Sequence, residues 1–183
     1  MFNERKVAQM AAYLLSKGGG EYEHLKLMKL LYLSDRESLN QTGFSISDDF
    51  FVSMPHGPVL SQTLSLINGE FTTIEGGWDE WISDRANYKV SVKQKVDRNH
   101  LDELSDYDIE IMSQIWINFG HMTVWEIRDY THYNCAEWKD PHGSSMPIPT
   151  ERIFIALGRD KEQAVELASE VDAHKQISCL FTH

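Results

Sequence analysis

The chain has 183 residues, 42% of them hydrophobic and 25% charged, with a formal net charge of -11. At this length folding buries about 70% of the surface of the unfolded chain, so one domain with a real core is expected over 1–183. The acidity opposes general nucleic-acid binding, which needs a basic footprint; it would steer the chain towards a basic partner or serve solubility alone.

Only two cysteines occur, Cys135 and Cys179, a usage that fits a reducing compartment. No apolar run approaches the roughly 18 residues of a membrane span, and the N-terminus reads as an amphipathic segment and not as a signal peptide. A cytoplasmic protein that binds no membrane is expected.

In chain order, Val7, Ala8, Met10, Ala11, Leu14 and Leu15 recur at helical spacing and predict an amphipathic helix over 4–17. Gly18, Gly19 and Gly20 stop it. The next helix, 24–40, carries Leu25, Leu27, Met28, Leu30, Leu31, Tyr32 and Leu33. That stripe is too wide for a surface helix and predicts a central buried one, interrupted by Asp35 and Arg36. Gly43 ends it. An extended segment at 50–52 leads to Met54-Pro-His-Gly-Pro-Val59, where Pro58 is expected to open a helix over 59–68.

Phe71–Ile74 and Tyr88–Val92 alternate in the β manner and predict a small antiparallel hairpin. The basic stretch from Lys89 to Arg98 reads as a solvated strand face. Ser105 and Thr123, each followed three residues later by an acid, predict capping boxes and helices to about Phe119 and His132. Thr150 is expected to cap a helix to Leu157, and a last helix covers about 160–175. The class is α+β: mainly helical with a small antiparallel sheet.

Three of these features together resemble the Panacea family of antitoxin domains, also called SocA-like. They are Leu27-Met-Lys-Leu-Leu-Tyr32, the Gly57-Pro-Val59 turn, and Thr131-His132 with Trp138 shortly after. The resemblance spans about residues 5–158. Two positions depart from the family pattern: His56, where Tyr is frequent, and Glu137, where Pro is frequent. The resemblance implies a binding protein of bacterial or phage toxin–antitoxin pairs, with a cognate toxin as partner. It implies neutralisation by direct complex formation or, alternatively, delivery of the toxin to a ClpXP-type protease. Asp35, His56, Gly57, Pro58, Trp125, His132 and Trp138 are the candidate contact or signature residues. Asp35 is expected to order the His56–Pro58 loop, and His132 to bond to backbone near its helix end. Trp78, Trp81 and Trp125 occupy positions that are more often core than interface.

The enzymatic alternative is a small metal-dependent hydrolase. Glu21/His24, Asp97/His100 and Asp129/His132 each place a carboxylate and a His three residues apart, but only the last pair reads as helical, and bundle metal sites need further carboxylates. His132-x-x-Cys135 lacks a second ligand pair to finish a zinc site. No phosphate-binding glycine motif is present. A helix-turn-helix reading of 4–17 and 24–39 fails because the second helix is almost wholly apolar. No cofactor, metal or nucleic acid is therefore expected.

Overall fold

The computed structural model describes residues 2–180, with side chains as far as 177; Cys179 lies beyond those side chains. α1 (Glu4–Lys17) starts on Asn3, whose side chain accepts from the Lys6 amide. It is buried on all sides from Val7 to Leu15, more than the predicted stripe. Even Gln9 is enclosed, holding Asp102 and the Glu103 amide of a later loop. Gly19 and Gly20, with φ of 87° and 94°, turn the chain as expected.

β1 (Glu21–Glu23) then leads into α2 (His24–Thr42), which is the predicted buried spine. Leu27 to Asp35 are all buried, and Gly43 ends the helix in the left-handed conformation. β2 (Phe51–Met54) and β3 (Gly57–Leu60) form an antiparallel hairpin in which Ser53 faces Pro58. α3 (Ser61–Asn68), α4 (Trp78–Trp81) and β4 (Lys89–Ser91) follow. α5 (Asp106–Phe119) and α6 (Val124–Asn134) open on Ser105 and Thr123 with both predicted capping boxes formed. β5 (Met146–Pro147), α7 (Thr150–Ala156) and α8 (Lys161–Leu180) complete the chain. β5 adds to β2, giving a three-stranded sheet of order β3-β2-β5. The class is the one expected, helices with small antiparallel sheets.

Three expectations are corrected. Pro58 does not open a helix: it lies in β3, an edge strand, where the missing N–H breaks no ladder bond. The helix starts at Ser61, and its first amides are held by Asp49, which accepts from Gln62 and Thr63. Phe71–Ile74 form no strand. Glu4 accepts from the Ile74 and Trp78 amides at 3.2 and 2.9 Å, tying that segment to the start of α1. β4 pairs instead with β1, Tyr22 facing Val90. The alternation identified a strand but not its partner, because a three-residue Glu-Tyr-Glu strand merges with the helix start. Thr150 makes no cap bond, and Pro149 stands at that position.

Candidate functional site

The hairpin tip, Pro55 and His56, rests on two helices. Gly57, with φ 97°, passes so close to them that a Cβ there would stand 2.8 Å from Lys29 Nζ, 2.9 Å from Thr131 Oγ1 and 3.0 Å from His132 Cδ2. Only glycine supplies both the backbone angle and the approach. Lys29 Nζ donates to the Pro58 carbonyl at 2.7 Å. Its ammonium is buried, and burial pushes its pKa down to about 7.

His132 stacks on Trp138 with ring centroids 4.3 Å apart and planes within 10°. The Trp138 indole N–H donates to the Met54 carbonyl at 3.0 Å, so the stacked pair grips β2. His132 does not bond to nearby backbone as expected: its Nε2 is enclosed and has no hydrogen-bond partner among the described residues. Burial first, then the Lys29 and Arg128 charges, lowers its pKa.

Below the pair lies Glu137, which is 0% exposed. Tyr32 Oη and Arg36 Nε each donate to its Oε1 at 2.6 Å, and Arg36 Nη2 donates to Oε2 at 3.3 Å. A buried carboxylate is tolerable only with such a partner set. Burial works to lower the Arg36 pKa, but the Glu137 bond and charge raise it. Cys135, buried beside them, has its thiol pushed up to about 12, by burial first and then by Glu137. A thiol held protonated in this way is a poor nucleophile.

His56, Gly57, Pro58, His132 and Trp138 are thus brought together by α2, α6 and the β2–β3 hairpin. Asp35 is elsewhere. It lies buried near the far end of α2 and accepts from the Ile46 and Ser47 amides at 2.9 and 3.0 Å and from the Ser47 hydroxyl. It orders the 46–47 loop, and Lys29 does for Pro58 what was expected of Asp35. Burial, opposed by the Ser47 bonds, pushes Asp35 up to about 7.

Trp78 and Trp81 are core, whereas Trp125 is 57% exposed on α6 with the Arg128 guanidinium 4.8 Å from its ring centroid. Lys29, Tyr32, Arg36 and Glu137 are the site residues that motif reading passed over. Three of them, Lys29, Tyr32 and Arg36, sit on α2, and a lysine among leucines was the available signal.

Two of the three carboxylate–histidine pairs do not form among the described residues. Glu21 pairs with Lys89 at 3.3 Å, Asp129 with Arg128 at 2.5 Å, and His24 Nδ1 meets the Tyr88 carbonyl at 2.7 Å. Asp97 and His100 meet each other at 3.2 Å on the surface. Among the described residues no three His, Cys, Asp or Glu side chains gather where they could hold a metal ion. Nor is any described helix long and apolar enough to cross a membrane.

The model of the family described as "Antitoxin SocA-like, Panacea domain" matches residues 27–139, more than half of the 183-residue chain. The chain belongs to this family. The match runs from the buried part of α2 to just past Trp138, so it contains every element that builds the hairpin site. α1, α7 and α8 lie outside it. No match was found among curated proteins or among solved structures.

Proposed function

We propose that this Panacea-domain protein is the antitoxin of a toxin–antitoxin pair, a cytoplasmic binding module that neutralises its cognate toxin by direct complex formation. The observation that carries the reading is the family match over the hairpin and the two helices beneath it. The chemistry of the site agrees with it. The charged groups beneath the surface are already engaged: Lys29 on the Pro58 carbonyl, Glu137 on Tyr32 and Arg36. They fix a rigid platform, and a platform is what a binding face needs more than a reactive centre does. His56 at the tip and Trp125 on α6 are exposed above it. They and the stacked His132–Trp138 pair are the contact residues of this reading, with Gly57 and Pro58 holding the tip in place.

Co-expression tests it. Each gene neighbouring this one is expressed alone and with it. One neighbour is toxic alone, is rescued by co-expression and co-purifies with this chain. Absence of a toxic neighbour, or rescue without a complex, contradicts direct neutralisation.

A further inference from the structure

Beside His56 lies an open groove of about 640 Å³ between the β1–β4 ribbon and the start of α6, with Glu23, Leu25, Tyr88, Lys89 and Trp125 in its walls. Two features mark it as built to be filled. The first is its pair of exposed rings, Tyr88 at 77% and Trp125 at 57%; large aromatics at a concave site are the residues that anchor protein interfaces. The second is how Tyr88 is held. Ala86 and Lys89 exchange backbone hydrogen bonds of 3.0 and 2.9 Å across a two-residue turn. Both turn residues, Asn87 and Tyr88, have positive φ, 51° and 62°. The second position of such a turn normally takes glycine. A tyrosine kept there in the left-handed region is presented outward against its own backbone preference. The Tyr88 carbonyl is pinned by the His24 amide and ring at 2.9 and 2.7 Å, which fixes its backbone at the lip, and its ring stacks on the His24 ring with centroids 6.3 Å apart.

The charges decide the occupant. Lys89 is paired with Glu21 and Arg128 with Asp129. Lys26 Nζ is bonded to the Gly120 carbonyl, although its charge still reaches Glu23. Among the described residues no ion pair or hydrogen bond engages the Glu23 carboxylate. An aromatic pair with a carboxylate beside it, on a chain of net charge -11, is complementary to a cation with an apolar stem. Trp125 already carries the chain's own Arg128 against its ring and remains more than half exposed.

We infer that this groove receives an arginine or lysine side chain on an extended basic segment of the partner protein, seated between Tyr88 and Trp125 with its charge on Glu23. The inference rests on the binding role proposed above.

The probes are acetyl-Gly-Arg-Gly-amide and its Glu counterpart, titrated into the full chain while the five tryptophan indole N–H signals are followed by NMR, the Trp125 signal being assigned with Trp125→Phe. The arginine peptide is expected to shift the Trp125 signal saturably and the glutamate peptide is not. Glu23→Gln and Tyr88→Ala, with unchanged melting temperatures, each weaken the arginine peptide at least fivefold. No shift at Trp125, or equal shifts from both peptides, overturns the inference. The two levels separate cleanly. If co-expression finds a toxin but the peptides fail, the groove assignment falls and the antitoxin reading stands. If no toxin exists, the antitoxin reading falls and the peptide titration still decides what the groove takes.

Discussion

Lys29 donates its buried ammonium to the carbonyl of Pro58 at 2.7 Å, and among the described residues no carboxylate is hydrogen-bonded to it. The helix therefore holds the hairpin through a charge that burial disfavours. The Lys29 pKa is about 7 in the folded protein against 10.5 for an unperturbed lysine. Between those values the unfolded state binds more protons, so stability rises with pH from 7 towards 10.5. Lys29→Met removes the titrating group. From pH 7 to 9 the parent should gain about 2–3 kcal/mol relative to Lys29→Met, at about 1.4 kcal/mol per unit. Urea midpoints of both proteins across that range measure it.

Asp35 has the opposite sign. Its folded pKa of about 7 lies above the unperturbed 3.8. Between those values the folded state holds the extra proton, and stability falls as pH rises from 4 to 7. Asp35→Asn keeps an acceptor for the Ile46 and Ser47 amides and abolishes that slope. The parent should lose stability relative to Asp35→Asn across pH 4–7 and run parallel to it above pH 8, read from the same urea midpoints.

Glu137 joins α2 to the segment that carries Trp138. Glu137→Ala leaves Arg36 and the Tyr32 hydroxyl without their acceptor, and breaking a buried pair costs about 3–5 kcal/mol. At about 2–4 °C per kcal/mol for this chain length, the melting temperature should fall by about 10 °C. Glu137→Gln, which retains an acceptor for Tyr32, should lose less than half of that.

Gly57 and Pro58 should behave as structural residues, distinct from His56. Gly57→Ala meets both a φ of 97° and a Cβ clash with Lys29 and Thr131, a cost of about 1–3 kcal/mol for the backbone strain alone. Pro58 is buried in β3, so Pro58→Ala should lose stability and neutralisation together. His56→Ala, at the exposed tip, should lower neutralisation with a melting temperature within about 1 °C of the parent. Thermal melts beside rescue assays separate the two classes.

Much of the frame was legible in the sequence because its signals are local. The capping boxes at Ser105 and Thr123, the glycines at 18–20 and 43, and the apolar spine of α2 each depend on residues within a few positions of one another, and each formed as read. Thr150, displaced from the cap by its neighbour Pro149, is a local misreading; most of the others involve pairing at a distance. Lys89–Ser91 found Glu21–Glu23, not Phe71–Ile74, because period-two alternation carries no information about partner. The Pro58 turn read as a helix start, since proline suits a first helical turn as well as an edge strand, and only Asp49, a dozen residues earlier, reveals where the helix begins. Glu137 read as a departure that alters partner contact, yet it is the buried acceptor of Tyr32 and Arg36, more than a hundred positions away in sequence. Trp125 differed from the other tryptophans for a reason of helix phase: the α6 face that buries Ile127 and Thr131 turns residue 125 outward.

The central claim is that the face made by the hairpin tip and α6 holds a toxin. Co-expression of the toxic neighbour with the parent chain and with a His56→Ala/Trp125→Ala double variant tests it most directly, with both proteins melting at the same temperature. Rescue and a stable complex with the parent, and loss of both with the double variant, are expected. Undiminished rescue by the double variant would contradict the claim.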